Sequence, residues 1–208
     1  MGMVLGRIAE EMPTHTVIYH APTFEVRRYA PSVLAECRFD GKWGSSGNEG
    51  SPFMQLAKYI GVFGEAENQA ANKIAMTAPV LVTPERIAMT APVLVSQDGG
   101  SRGDTMAFVL PASKYQSVAD APTPTNPNIT LRQLPERTQA VQTFTWSFRA
   151  DRAQQHLAML LSDLEKDGKY KPKRNEQGEV DWQAAGYNPP FAIPFMKRNE
   201  VLVSVMEA

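Results

Sequence analysis

The sequence is poor in the residues that staple small proteins together. It holds one cysteine, Cys37, which excludes an internal disulfide and a cysteine-rich zinc site. Three histidines, His15, His20 and His156, leave little material for a structural metal centre. Neither sign of charge is in excess: 21 Lys and Arg stand against 22 Asp and Glu, a net charge of −1. That balance argues against a dedicated nucleic-acid binder, whose affinity rests on neutralising phosphates, and against a polybasic membrane anchor. No run of about 18 apolar residues exists to cross a bilayer as a helix. The opening MGMVLGRIAEEMP lacks a basic start followed by an apolar stretch, and Glu10 and Glu11 speak against an organelle transit peptide. Gly6 stands where a myristoylation signal wants Ser or Thr. Nucleophile elbow, P-loop, dinucleotide fingerprint and HExxH patterns are all missing. The expectation is a soluble, cytoplasmic protein.

What is present describes an ordinary folded chain. Of 208 residues, 43% are hydrophobic and 21% charged, which fits one domain or two halves of one. A repeat stands out: residues 74–82 read IAMTAPVLV, and residues 87–95 read IAMTAPVLV again. Two copies are too few for a solenoid, and each reads as a strand-and-loop unit with proline at the strand start. The segments 16–20, 24–30 and 32–40 read as a β meander broken by Ala-Pro turns. In the second of these, Phe24, Val26 and Arg28 share one side, and Glu25, Arg27 and Tyr29 the other. Segments 105–111, 129–135, 138–148 and 199–206 read as further strands, and 119–128 and 169–179 as polar loops.

Two helices are expected. Phe53, Leu56, Ala57 and Ile60 fall on one stripe, with Ser51 as N-cap and Pro52 at the first position. Ala153, Leu157, Leu160, Leu161 and Leu164 form a second stripe, ended by Gly168. Helices this sparse among strands disfavour a parallel α/β arrangement and predict an antiparallel α+β fold.

Several of these pieces, taken in order, resemble the SOUL haem-binding protein family. They are FEVRRYAP, KIAMTAPV after the first helix, the FVLP strand, and GYNPPFAIPFMKRNEV before the end. The resemblance runs from about Thr16 to Val205, and the tandem IAMTAPV unit is similar to that of plant-type and algal members. It implies a pseudo-twofold, distorted eight-stranded antiparallel β-barrel flanked by two α-helices. The domain would span 16–208, in halves of roughly 16–125 and 126–208, after an N-terminal segment of 1–15. It also implies binding of haem or another tetrapyrrole in an apolar groove formed by the first helix and the loop before the last strand. Carried onto this chain, the groove would be lined by Phe53, Leu56, Ala57, Lys58 and Ile60, by Met76, Pro79 and Val82, and by Tyr187, Phe191 and Met196. Lys58 with Lys197 or Arg198 would take the propionates.

Each of these residues also has a plainer reading. A helical apolar stripe normally faces a core, single lysines normally face solvent, and Met54, Met76 and Met89 are more economically gap-fillers than iron ligands. His156, at the margin of the second helix's stripe, is the one candidate for axial iron ligation, against an ordinary core-edge histidine. His20, at a strand end, is a weaker one. Cys37 alternates with Ala35 and Val33 and reads as a buried thiol. The KYKPKR cluster at 169–174 reads better as a solvated loop than as an RNA contact. The reading is therefore a carrier, buffer or sensor of tetrapyrrole with weak or no axial ligation. A haem-processing enzyme is one alternative. An interaction protein of haem metabolism, whose haem binding is incidental, is the other. With about 200–300 Å² of apolar ligand surface buried at about 25 cal/mol per Å², gross binding is about 5–7 kcal/mol, which permits micromolar affinity.

Overall fold

A computed structural model describes residues 10–39, 51–83, 104–175, 178–188 and 192–208. The chain opens with the meander β1 (His15–His20), β2 (Glu25–Tyr29) and β3 (Ser32–Phe39), then α1 (Pro52–Tyr59). Strands β4 (Val80–Thr83), β5 (Asp104–Val109), β6 (Ile129–Leu134) and β7 (Arg137–Phe144) lead to α2 (Ala150–Asp167). Strands β8 (Tyr170–Pro172), β9 (Trp182–Gly186) and β10 (Asn199–Glu207) close the chain. The expected antiparallel α+β fold is present, with ten strands among the described residues where eight were expected. They run in the order β1-β2-β7-β10-β9-β4-β5-β3-β6, with β8 paired to the far end of β10. Among the described residues the sheet keeps two edges, β1 and β6, along this path and does not close into the expected barrel. At the β1 edge a register shift between Val17 and Tyr19 disturbs the ladder, a device that blunts edge pairing.

Two departures from the sequence reading have local causes. The stretch 169–179 was expected to be a loop, but its first residues form β8, because Tyr170 is buried while the lysines beside it face out. Trp182–Gly186 carried no strand signal, since Ala-Ala-Gly has poor β propensity. Its small residues serve burial on both faces: Ala184 lies in the helix-side core and Ala185 in the opposite one. At Gly186 a Cβ would come 3.0 Å from the Phe148 ring, so glycine is what lets that ring settle on the sheet.

Both helices cover the same face. Ser51 caps α1 by accepting a 3.3 Å hydrogen bond from the Met54 amide, and Leu56, Ala57 and Tyr59 turn inward. Helix α2 ends at Gly168, whose φ of 71° is the left-handed cap that glycine adopts without Cβ strain, and buries Ala153, Leu160 and Leu164. Beneath the helices lie Val26, Val33, Ala35, Cys37, Phe108, Phe144, Val201 and Val203. The alternate residues of the same strands, among them Tyr29, Leu34, Leu81, Val109, Val141 and Leu202, make a second buried layer on the helix-free face.

The register also sets where the loops gather. Phe144 and Gly186 both oppose Asn199, and Val80 opposes both Gly186 and Phe108. The segment before β4, the β7–α2 turn and the β9–β10 connection therefore meet at one end of the sheet. The first IAMTAPVLV copy supplies this end: Ile74 and Ala78 are buried, the Thr77 hydroxyl donates to the Val109 carbonyl, and the final residues run into β4. The second copy, 87–95, lies outside the described residues.

Leu160, fully buried between α2 and the sheet, tests this packing. Leu160→Ala is expected to cost about 2–5 kcal/mol in urea unfolding, with the slope against denaturant unchanged.

Candidate functional site

The residues implied by the family resemblance separate into three groups. Leu56, Ala57, Ile60 and Val82 are fully buried in the helix-side core, and Pro79 is buried with them. Phe53 and Lys58 are half-buried, the Phe53 ring meeting Phe108 edge-on at 5.5 Å between centroids. Met76 and Met196 are exposed, at 36% and 41%, and the register brings both to the loop-bearing end of the sheet. Tyr187 follows β9 onto the helix-free face, where its hydroxyl donates 2.5 Å to Glu200. Phe191 lies outside the described residues.

On that face stands a polar assembly whose partners the sequence did not connect. Glu200 has no exposure to solvent. Both Arg27 Nη atoms donate to its oxygens at 3.0 Å, and Arg198 donates to Oε1 through Nε at 3.0 Å and Nη2 at 2.7 Å. Arg27, 3% exposed, also pairs with Glu25 and donates 3.0 Å to the Tyr29 hydroxyl. Burial alone would raise the Glu200 carboxyl, but the Arg27 hydrogen bonds and charge, with Tyr187 and Arg198, hold it below its usual range. Burial followed by the Glu200 charge pushes the Tyr187 phenol up, so it stays a neutral donor. Within it the Arg27 and Arg198 guanidiniums pair with the Glu25 and Glu200 carboxylates, and the Arg137 guanidinium lies 5.0 Å from the Tyr29 ring centroid. Its signal in the sequence was the alternation Glu25-Arg27-Tyr29 and Arg198-Glu200, charges at a period of two that share one face.

At the loop-bearing end the side chains have a different character. Trp146 takes φ of 76°, a left-handed conformation rare for a bulky residue, fixed from both sides. Its amide donates 2.9 Å to the Pro194 carbonyl, and its carbonyl accepts 2.9 Å from the buried Asn199 side chain. Held this way the indole is 50% exposed, and Phe195, on the adjoining 3₁₀ turn Pro194–Met196, is 60% exposed. The Arg152 guanidinium stands 6.0 Å from the indole centroid. One turn along α2, the His156 ring stacks on Phe144 at 4.3 Å and 13°, with Nδ1 3.1 Å from the Gln142 side-chain oxygen. Burial, then the Arg152 charge, lowers the His156 pKa and favours the neutral imidazole. None of Trp146, Phe195 and Arg152 was a sequence candidate; the exposure of the two rings and the Arg152 contact with the indole appear only after folding.

Two depressions lie elsewhere on the described surface. One, between Glu11, Ala30 and Thr77, encloses about 10 Å³, room for a water. The other, about 390 Å³ beside Gln69, Asn72, Lys114 and Asp120, is open and half polar. Neither is an apolar slot. Among the described residues no three His, Cys, Asp or Glu side chains could together hold a metal ion, and no helix is long and apolar enough to cross a membrane. A metalloporphyrin does not need such a cluster, because it brings four ligands of its own. Exposed rings, a guanidinium and a neutral imidazole are groups that fit it.

A mostly antiparallel sheet with two helices on one face, and aromatic and thioether groups exposed at one end, defines an α+β domain. The chain belongs to the SOUL heme-binding protein family, whose match covers residues 10–204. No curated protein matches the chain. Among solved structures it is similar to the EcmrR C-terminal domain, at 12% identity and a TM-score of 0.51, covering 92% of this chain and 99% of that one. It is also similar to a hydrolase encoded by lin2189 from Listeria innocua, at 11% identity and a TM-score of 0.53, covering 88% and 92%. At these identities the likeness is one of fold.

The buried assembly gives a direct test. Arg27→Met leaves Glu200 undercompensated in a site without water and is expected to destabilise the fold by about 3–5 kcal/mol in urea titrations. Because folding lowers the Glu200 pKa below its ordinary 4.5, its contribution is complete above that pH. Stability of the parent should fall as pH drops from 4.5 through the folded-state value, and the Glu200→Gln variant should show a shallower fall.

Proposed function

We propose that the chain binds haem or a related tetrapyrrole without processing it and acts as a cytoplasmic carrier, buffer or sensor. The observation that carries this reading is the convergence of exposed rings and thioethers with cationic side chains at one end of the sheet, in a chain of the SOUL family. A tetrapyrrole is a flat apolar ring with anionic propionates. Met76 and Met196, with half-buried Phe53, would touch its face, and Lys58 and Lys197 would meet the propionates, Arg198 being held by Glu200. Leu56, Ala57, Ile60 and Val82 support that surface from within the core, Tyr187 anchors the connection from the other face through Glu200, and Phe191 belongs to the same connection. A ring laid on a surface buries one face more than the other, so affinity stays micromolar. A partner protein of haem metabolism would receive the ring from the same open side.

Titration of the purified protein with hemin and with metal-free protoporphyrin, followed by the Soret band and tryptophan quenching, tests the reading. Saturable one-to-one binding of both in the micromolar range is expected, weakened about tenfold or more by Met76→Glu with Met196→Glu, which place carboxylates against the ring and propionates. Failure of the parent protein to bind either compound overturns it.

A further inference from the structure

We infer that the Arg137 guanidinium, at the start of β7 against the last residue of β2 and the first of β3, binds an oxyanion of the carboxylate or phosphate class. The inference does not rest on the tetrapyrrole reading and uses none of the residues invoked there.

The cation is built in without a counter-ion. Nearby on the sheet Arg27 and Arg198 hold Glu200, and Arg132 holds Glu36 through Nε at 2.9 Å. Half-buried Arg137 has no carboxylate partner among the described residues. Its Nε donates 3.3 Å to the Gln139 side-chain oxygen and its Nη1 donates 3.4 Å to the Ser32 hydroxyl, both long contacts to neutral groups. Both N–H groups of Nη2 and one of Nη1 are left over, and Nη2 reaches solvent. Burial lowers the Arg137 pKa against an opposing pull from Tyr29, and the neighbouring Arg132 charge lowers it further. The nearest full charge acting on this guanidinium is therefore a second cation.

The fork is also held in place. It lies 5.0 Å from the Tyr29 ring centroid, and that ring is fixed in turn. Its hydroxyl accepts 3.0 Å from Arg27, and the His15 ring packs 5.1 Å away. Tyr29 and Gln139 are buried, and Ser32 is 4% exposed. The Ser32 hydroxyl accepts from Arg137 and donates to no described residue, which leaves a buried O–H beside the open edge of the fork. A planar fork flanked by a hydroxyl donor matches two oxygens of a carboxylate or a phosphate. Because the fork is already oriented, little side-chain freedom is lost when an anion replaces water there.

Thermal unfolding of the intact chain at constant ionic strength tests the site, with chloride replaced stepwise by phosphate in one series and by acetate in another. The Tm of the parent is expected to rise saturably in at least one series, with half-saturation at roughly 1 mM. A response to phosphate alone identifies the ligand group as a phosphate, and a response to acetate as a carboxylate. Arg137→Lys keeps the charge without the fork, and Ser32→Ala removes the hydroxyl; each should raise the half-saturation about tenfold. Arg137→Met should abolish the response. The Arg137 Nε–Hε NMR signal of the parent should shift with the same half-saturation, a readout that needs no variant to fold. A rise that does not saturate, or that all three variants share, is a general salt effect and overturns the site. Absence of any rise, or of the NMR shift, overturns it too.

Discussion

An ionised carboxylate that water does not reach organises the helix-free side of this sheet. Glu200 sits near the start of β10, and its partners arrive from β2, β7 and the β9–β10 connection: Arg27, Thr143, Tyr187 and Arg198. Desolvating such a group is costly, and the attraction to the guanidiniums offsets that only when every lone pair is met. The consequence is specificity of register. Strand side chains alternate with a period of two, so a slip of β10 by one residue would bring Glu200 among Ala140, Phe144 and Ala184 in the helix-side core. The same slip would put valines against two guanidiniums. One strand therefore fixes two layers, because each position on it is acceptable on only one of them.

The separation of the two faces explains which parts of the fold were legible in the sequence. The helical stripes, the caps at Ser51 and Gly168 and the alternation in β2 are local patterns, and the structure keeps them. The grouping of Glu25, Arg27 and Tyr29 on one face was readable from spacing alone. Nothing local said that this face would be buried, since burial came from Glu200 and Arg198, more than 170 positions away in the case of Arg27. Strand β9 failed for a related reason: Ala184 and Ala185 are chosen by packing against two layers at once, which propensity does not encode.

The site was legible to a lesser degree. The helical stripe of α1 reads equally well as a groove or a core, and the fold resolves Leu56, Ala57 and Ile60 as core. Trp146 and Phe195 lay in segments without periodicity, and their exposure depends on contacts between the β7–α2 turn and the β9–β10 connection, which lie about 50 residues apart in the chain. His156 was visible as a residue at the margin of a stripe. What singles it out, the Gln142 oxygen and the Phe144 ring, belongs to β7.

The arrangement at the loop-bearing end bears on the proposed tetrapyrrole binding. A protein that stores a reactive cofactor encloses it, whereas the rings here stand on the outside of an already filled core. With an association rate of about 10⁶ M⁻¹s⁻¹ and micromolar affinity, bound ligand would leave about once per second. That rate suits transfer between partners and poorly suits long retention. The Glu200 assembly on the other face stabilises the scaffold, its two nearest guanidiniums being held by Glu200 itself. A rigid sheet fixed by Glu200 thus underlies the shallow surface on which the proposed binding would take place.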